Sequence, residues 1–421
     1  MRRVFLAFFL ILLWVVPSFP SPRYVFLFIG DGLGQELIDL FTEMTQHSSF
    51  SEFPVHVFLG TQTRDGKIPD SASSATSIAC GVKVKEGVLA QDASGRPLET
   101  IAEKAKKRGF RVGIVTNVAL NDATPAAFYA HTASRKNYDD IAWQMVESGF
   151  DLLVGSGIVT TTRPQRDEIL RHATKRGYRI VTNFQEFLAL EGGTPTIALL
   201  PFTFAIDRTQ AHPNFTQCVR KALELLENPL GFFLVIEGGR IDWCNHMNDI
   251  VSSLKELEDF NAAIREALLF GQKYPQETLI LVTADHETGG LHWERKGPLT
   301  MPPQKGSYDR FLTELRTLPQ EEATLKRFLI SFWGKEKEDI EKALSDFLTT
   351  QEAKTLWISL ARSFAKEAGI SWSTLGHTGT PVPLYVWGEE ADLFASAQEN
   401  TDIARILTEI LTGTLALEDV F

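Results

Sequence analysis

The stretch Y-V-F-L-F-I-G-D-G, residues 24–32, sets the pattern that decides the fold. Six apolar residues, mostly β-branched or aromatic, are followed at once by two glycines on either side of Asp31. An unbroken apolar run of this length is typical of a strand buried on both faces of a parallel sheet. Residues 24–29 are therefore predicted to be a central strand, with a carboxylate at its carboxyl end.

Similar apolar runs recur along the chain and alternate with amphipathic helical stretches. The other predicted strands are residues 111–116, 151–154, 196–200, 232–236, 278–283 and 384–387. The predicted helices between them include residues 98–108, 138–147, 214–227 and 250–270. This alternation predicts an α/β fold with a doubly wound, mostly parallel central sheet and helices on both faces.

Two regions depart from this rhythm. Residues 291–373 are charged and partly helical, and we interpret them as a helical insertion or cap before the last strand. At the N-terminus, a short basic segment precedes an apolar run at residues 4–16, as in a signal peptide. We predict a signal peptide at residues 1–18, although a retained membrane anchor is an alternative. A single domain is expected to cover residues 23–421.

Composition excludes several classes of protein. The chain has 421 residues, with 42 basic against 53 acidic side chains and a net charge of −11. Nucleic-acid-binding modules are usually basic, so we expect no nucleic-acid partner. Three scattered cysteines are too few for a disulfide framework. A small anionic substrate stays compatible with the acidic charge, because bound metal ions can reverse the sign of a pocket locally.

Carboxylates and imidazoles follow several of the predicted strands. They are Asp31, Asn121 to Thr124 (with Asp122), Glu237, Asp242, His246, Asp285 and His286, and His377 stands just before the last strand. In such a sheet, ligands bind beyond the carboxyl ends of the strands, so these groups are expected to meet at one rim. Carboxylate with imidazole suits zinc, and Asp, Glu and Thr oxygens suit magnesium. Asp242 and His246, four residues apart, would share one face of a helix.

The segment D-S-A-S-S-A-T-S-I-A-C-G, residues 70–81, predicts a tightly packed helix that ends at Gly81. Its N-terminus would present free N–H groups to an anion. Ser71 there, beside a metal ion, could lose its proton and act as a nucleophile. Alternatively, Asp70 and Ser71 simply cap the helix. Arg135 could offer a planar fork to a phosphate group, or could be a solvated surface residue.

Six of these motifs together resemble the alkaline phosphatase family. They are IGDG (29–32), DSASSAT (70–76), NDATPAAFYAH with SRK (121–136), EGGRIDWCNH (237–246), TADHETGG (283–290) and GHTG (376–379). They occur in the family's order and span essentially the whole mature chain. The resemblance implies hydrolysis of phosphate monoesters through a phosphoserine on Ser71, with two zinc ions and one magnesium ion per chain.

The resemblance also implies a role for each residue. Asp242, His246 and His377 would hold the first zinc, and Asp31, Asp285 and His286 the second. Asp31 would also reach the third ion, completed by Thr124 and Glu237; this ion is magnesium or, alternatively, cobalt. Arg135 would bind the phosphate oxygens. Asp122 would not bind an ion directly. It would contact either magnesium-bound water or Arg135.

Trp243 departs from the pattern, since many members carry Lys or His directly after the residue that corresponds to Asp242. Indole has one hydrogen-bond donor and no charge, so it cannot attract phosphate through a bridging water molecule as Lys or His can. The sequence therefore leaves open which metal ion binds at the third site and how phosphate is released. Two other functions are weighed, a related phosphodiesterase and a non-catalytic phosphate- or metal-binding protein. A sulfatase is excluded, because the sequence around Ser71 lacks the motif that sulfatases require.

The resemblance further implies small phosphomonoester substrates and a homodimer. With the predicted signal peptide, it implies export to the periplasm or the extracellular space, with no stable membrane span after cleavage.

Overall fold

A computed structural model describes residues 22–295 and 300–413. In this part of the chain, nine strands form one central sheet with the spatial order β2-β13-β8-β1-β7-β3-β4-β6-β5. Its strands are β1 (Tyr24–Gly30), β2 (Val55–Leu59), β3 (Arg111–Thr116), β4 (Leu152–Gly155), β5 (Arg179–Val181), β6 (Thr196–Leu199), β7 (Phe232–Glu237), β8 (Thr278–Ala284) and β13 (Val382–Gly388). Four short strands lie outside it: β9 (Glu287–Thr288), β10 (Leu291–Trp293), β11 (Ile370–Trp372) and β12 (His377–Thr378).

Strand β1 is the centre of the sheet, as its sequence predicts. Every residue of β1 is buried, and the strand pairs in parallel with β7 on one side and β8 on the other. All seven predicted strands are present. Strands β2 and β5, at the two lateral edges of the sheet, were not predicted from the sequence. Strand β2 exposes His56 and Phe58, and β5 has three residues of which only Val181 is buried.

The last strand, β13, runs antiparallel to both of its neighbours, β2 and β8. Its first residues therefore lie at the same edge of the sheet as the carboxyl ends of the parallel strands. This edge is the rim at which the candidate ligands were expected. The preceding strand β12 pairs with β9, which brings His377 opposite Thr288. Antiparallel pairing thus explains how a residue before a strand can join residues that follow other strands.

Helices pack against this sheet, and the predicted fold class, α/β with a mostly parallel central sheet, is confirmed. The helices are α1 (Gln35–Thr45), α2 (Ser71–Cys80), α3 (Ile101–Lys107), α4 (Ala123–Ala126), α5 (Tyr138–Glu147), α6 (Arg163–Lys175), α7 (Phe184–Leu188), α8 (Phe215–Leu226), α9 (Arg240–His246), α10 (Ile250–Lys273), α11 (Tyr308–Thr317), α12 (Glu322–Trp333), α13 (Glu338–Thr350), α14 (Ala353–Glu367) and α15 (Asn400–Thr412).

Helices α11 to α14 surround a second hydrophobic cluster, which is separate from the main core. Trp333 and Trp357 are its largest fully buried side chains, and the Trp333 ring stacks on Phe364 at 4.9 Å. The chain enters this helical region after β10 and leaves it at β11, and these two strands pair with each other. On α14, Trp357 Nε1 donates to the carbonyl of Met247 at 3.1 Å, just beyond α9.

Within residues 22–295 and 300–413, no helix combines the length and the apolar character needed to cross a membrane. The predicted signal peptide, residues 1–18, lies outside the described residues, as do residues 414–421 of the predicted domain. The three cysteines, Cys80, Cys218 and Cys244, are free.

Candidate active site

Ser71 is the first residue of α2, and its side chain is buried. The Asp70 carboxylate caps the helix by accepting from the backbone N–H of Ser73 at 3.0 Å. The helix ends at Gly81, whose φ of 71° places it in the left-handed region, as the sequence predicts. Small side chains let α2 pack closely against α4 and α15. Ser71 Oγ is thereby held 3.4 Å from His286 Nε2.

Asp31, Asp285 and His286 form one group of candidate metal ligands at the rim, and their ligand atoms lie within 4.8 Å of one another. His286 Nε2 is 3.2 Å from Asp285 Oδ2 and 3.6 Å from Asp31 Oδ1. Asp285 and His286 are completely buried. Asp31 Oδ1 and Asp285 Oδ2 are nevertheless buried without any hydrogen-bond donor. Such groups are normally satisfied in proteins, so these two oxygens fit a cation as their partner.

Asp242, His246 and His377 lie together on the other side of His286. His246 Nε2 is 3.2 Å from Asp242 Oδ2 and 3.2 Å from His377 Nε2. The His286 and His377 rings stack with their centroids 3.6 Å apart, and Asp242, His286 and His377 also form a group able to hold a metal ion. All six predicted zinc ligands are thus neighbours, and His286 lies between the two sets.

Backbone carbonyls orient two of these imidazoles. His246 Nδ1 lies 2.5 Å from the Leu375 carbonyl, and His377 Nδ1 lies 2.8 Å from the Pro69 carbonyl. A carbonyl only accepts, so each Nδ1 carries a proton, and in the neutral imidazole each Nε2 then keeps its lone pair. The tautomer that a metal ligand needs is therefore set by the fold.

Thr288 is a contributor that the sequence analysis missed. Its hydroxyl donates to Asp242 Oδ1 at 2.5 Å and lies 3.2 Å from His286 Nδ1. It therefore contacts one residue of each predicted zinc set. Thr288 belongs to the TADHETGG motif, but only its position opposite His377 in the β9–β12 pair reveals this role.

Glu237 and Thr124 lie at a third position of the rim. Glu237 ends β7 and accepts from the Thr116 hydroxyl. Burial raises the pKa of Glu237 to about 8. Thr124 Oγ1 is buried without a hydrogen bond of ordinary geometry, although it is close enough to the Glu237 carboxyl to lower that pKa. Burial and the charges of Asp285, Asp242 and Glu237 likewise raise the pKa of Asp31 well above its usual range.

Arg135 is held at the mouth of the site between two carboxylates. One guanidinium nitrogen lies 3.3 Å from Asp70 Oδ2, and another lies 3.1 Å from Asp122 Oδ1. Burial opposes its charge, but Asp122 and Asp70 raise the pKa of Arg135. Asp122 thus contacts Arg135, one of the two partners predicted for it. Asp70 was missed as a partner of Arg135, because its capping role conceals this second contact.

Trp243 projects from α9 and is 40% exposed. Its ring lies 6.2 Å from the Phe204 ring, and the Arg240 guanidinium lies 5.2 Å above its face. The indole is therefore part of an aromatic contact on the side of α9 that faces the helical region.

A buried polar network lies behind the rim, and the sequence analysis missed it. Glu256, on α10, accepts from Asn117 Nδ2 at 3.1 Å and from the Ala205 N–H at 2.6 Å. Arg240 donates to the Asn117 carbonyl at 2.9 Å and to the Phe202 carbonyl at 2.9 Å. The network connects the loop after β3 to the start of α9. Nothing in the sequence indicates that a helix residue reaches these loops.

We expect Glu256→Gln to flatten the dependence of stability on pH. Burial raises the pKa of Glu256 from 4.5 to about 7. The folded protein thus favours the protonated carboxyl, and the corresponding stability is lost as pH rises from about 4.5 through about 7. In the wild type this loss amounts to on the order of 3 kcal/mol of the free energy of unfolding.

Denaturant unfolding measured between pH 4.5 and 8 tests this expectation. The free energy of unfolding of the wild type minus that of Glu256→Gln should fall by on the order of 3 kcal/mol as pH rises, whatever the absolute cost of the amide. Glu258→Gln, at an exposed position of the same helix, is the control and should keep the wild-type slope. Equal slopes for wild type and Glu256→Gln would contradict the expectation.

Comparison with known proteins places this geometry in a family. A family model described as alkaline phosphatase matches residues 22–412. Alkaline phosphatase 3 of Bacillus subtilis is 29% identical over 94% of this chain and 90% of that protein. Alkaline phosphatase 4 of the same organism is 28% identical over 92% of this chain and 88% of that protein.

Solved structures agree with these relatives. A cold-active alkaline phosphatase from Shewanella sp. superposes with a TM-score of 0.81 and 29% identity, covering 92% of this chain and 99% of that one. The Thermus thermophilus enzyme, at 24% identity, shares the fold with a TM-score of 0.80, covering 94% of this chain and 93% of that one. So does a variant of the alkaline phosphatase TAB5 that has magnesium in its M3 site, at 23% identity and a TM-score of 0.70, covering 94% and 99%.

Proposed function

The chain belongs to the alkaline phosphatase family and is a phosphate monoester hydrolase, and from this premise we propose that Ser71 is the nucleophile of a metal-dependent reaction. One observation carries the proposal: three buried oxygens of the candidate ligands have no hydrogen-bond partner of ordinary geometry. They are Asp31 Oδ1, Asp285 Oδ2 and Thr124 Oγ1. Oxygens of this kind beside buried imidazoles suit divalent cations.

The proposed ligand sets follow from the positions at the rim. Asp242, His246 and His377 would hold one zinc ion, and Asp31, Asp285 and His286 a second. Asp31, Thr124 and Glu237 would hold magnesium, which a variant of the TAB5 enzyme carries in its M3 site. When bound, these ions supply positive charge that stabilises the attacking and leaving oxygens of the phosphate ester.

The chain's own residues then bind and position the ester. Arg135 carries a planar set of donors that suits two non-bridging phosphate oxygens, and Asp70 and Asp122 hold it in place. Ser71 gives up its hydroxyl proton and attacks phosphorus, so that a bond from Oγ to phosphorus forms while the bond to the ester oxygen breaks. The departing oxygen takes up a proton and leaves as the alcohol. Water then attacks the phosphoserine, which releases inorganic phosphate and restores the hydroxyl.

The experiment that tests this function compares a phosphate monoester with a phosphate diester. A monoester carries one more negative charge than a diester, and Arg135 and the metal ions would neutralise this charge. Losing one charged hydrogen bond costs about 1.5–3 kcal/mol, so protein reconstituted with zinc and magnesium should prefer p-nitrophenyl phosphate over its diester by about 10- to 100-fold. A preference for the diester would favour a phosphodiesterase, and binding of phosphate without turnover would favour a non-catalytic protein.

Export and a homodimer stay predictions. They rest on the pattern of residues 1–18 and on the family. N-terminal sequencing of protein recovered outside the cytoplasm would test cleavage of the predicted signal peptide, and sedimentation would test the dimer.

A further inference from the structure

A cavity of about 300 Å³ lies beside the proposed zinc ligand His246. Its walls come from three parts of the fold: Phe204 from the loop after β6, Trp243 and Met247 from α9 and its end, and Tyr308 from α11. The lining is mainly apolar, and Trp243 offers a ring face that is 40% exposed. A volume of this size accommodates a small ligand.

The position of His246 connects this cavity to the reacting ester. The phosphate would lie between Ser71 and Arg135, and His246 belongs to one of the two proposed zinc sets beside Ser71. His246 lines the cavity as well, so an alcohol attached to the phosphate can extend past this imidazole and along the Trp243 ring. Resting on the proposed function, we propose that this cavity receives the alcohol part of the substrate and selects neutral aromatic alcohols.

The aromatic wall is rigid, which favours recognition by stacking. The Arg240 guanidinium lies 4.8 Å from the Phe204 ring centroid and 5.2 Å from that of Trp243. Arg240 is itself fixed by the carbonyls of Asn117 and Phe202. Because the guanidinium holds both rings in place, little side-chain entropy is lost when a flat ligand stacks on the indole.

The helical region fixes the opposite wall. The Tyr308 ring packs on Trp357 with centroids 5.5 Å apart, and Trp357 donates to the Met247 carbonyl. These two contacts with Trp357 fix the distance between Tyr308 and Met247. The second hydrophobic cluster thus shapes the cavity that lies between it and α9.

Charge decides which aromatic groups are accepted. Two carboxylates, Asp249 and Asp309, also line the cavity. Asp309 is exposed. Asp249 is buried and accepts hydrogen bonds from the Ser252 N–H and the Gln304 side-chain amide. A second negative charge on the alcohol would approach Asp309 and be repelled, so a neutral ring is favoured over an acidic one.

The test compares 2-naphthyl phosphate with glycerol 2-phosphate in wild type, Trp243→Ala and Tyr308→Ala. Stacking on one aromatic side chain is worth about a 10-fold change in affinity. Each variant should therefore lower kcat/KM for the naphthyl ester by about 10-fold. Tyr308→Ala should leave kcat/KM for glycerol 2-phosphate and the inhibition constant of inorganic phosphate unchanged. Phe58→Ala, at an exposed aromatic residue of β2, is the matched control and should change neither substrate.

A binding measurement removes the dependence on turnover. Naphthylmethylphosphonate should bind the wild type more tightly than methylphosphonate, and this advantage should disappear in both variants. Equal losses for the two esters, or no loss for the naphthyl ester, would overturn the inference and leave the proposed function standing. Absence of turnover with both esters in the wild type would instead contradict the proposed function, while the phosphonate comparison would still report on the cavity.

Discussion

Replacing Ser71 with alanine should lower kcat for a phosphate monoester by on the order of 10⁶-fold, the size of loss seen when a serine nucleophile is removed. Ser71 Oγ is a buried hydroxyl beside the proposed second zinc set, 3.4 Å from His286 Nε2. Alanine removes only this oxygen, and the start of α2 stays capped by Asp70. The loss should therefore appear in the chemistry and not in the fold.

Acid quenching after incubation with radioactive phosphate measures the phosphoenzyme directly. Ser71→Ala should trap no label, while elemental analysis finds the metal content of the wild type. Ser77→Ala is the matched control, because this buried serine of the same helix donates only to the Ser73 carbonyl. Label retained in Ser71→Ala would sink the assignment of the nucleophile.

Asp285→Asn should remove one of the proposed zinc ions and lower kcat by on the order of 10³-fold or more, since even the loss of a residue behind a ligand costs about 10- to 100-fold. Asp285 Oδ1 accepts from the N–H groups of Gly32 and His286 at 3.1 and 2.9 Å. The amide oxygen of asparagine can keep both contacts. The unpartnered Oδ2 becomes an NH₂ group, which cannot bind a cation.

Elemental analysis after gel filtration measures this effect, and chelator treatment of the wild type should reproduce the loss of activity. Asp151→Asn serves as the control. Asp151 pairs with Lys106 just before β4, at the amino ends of the parallel strands and away from the rim. It should keep both metal and activity. A full metal content in Asp285→Asn would show that the carboxylate is not a ligand.

The fold was predictable because its central strands are buried on both faces. Strands such as β1 and β8 are mostly apolar and buried throughout, and this signal does not depend on the rest of the molecule. Strands β2 and β5 were missed because an edge strand is stabilised by pairing with its neighbour, and their sequences carry little of the burial that identifies a strand.

The candidate ligands were predictable for a related reason, since the carboxyl ends of parallel strands share one edge. Their partners were not. The contacts of Pro69 with His377 and of Asn117 with Glu256 join residues 308 and 139 positions apart, through a carbonyl and a helix side chain. Local sequence carries no information about which loop carbonyl meets which imidazole, so these contacts required the structure.

The antiparallel strand β13 has a consequence for the order in which the enzyme can assemble. It lies between β2 and β8 in the sheet, although it is the last strand along the chain. While a ribosome is still making the chain, β2 has no neighbour to pair with, and His377 has not yet been added to the site. Contacts of such long sequence separation form late in folding. A growing chain is therefore a hydrolase without a complete reaction centre, and it gains activity only when its final segment closes the sheet.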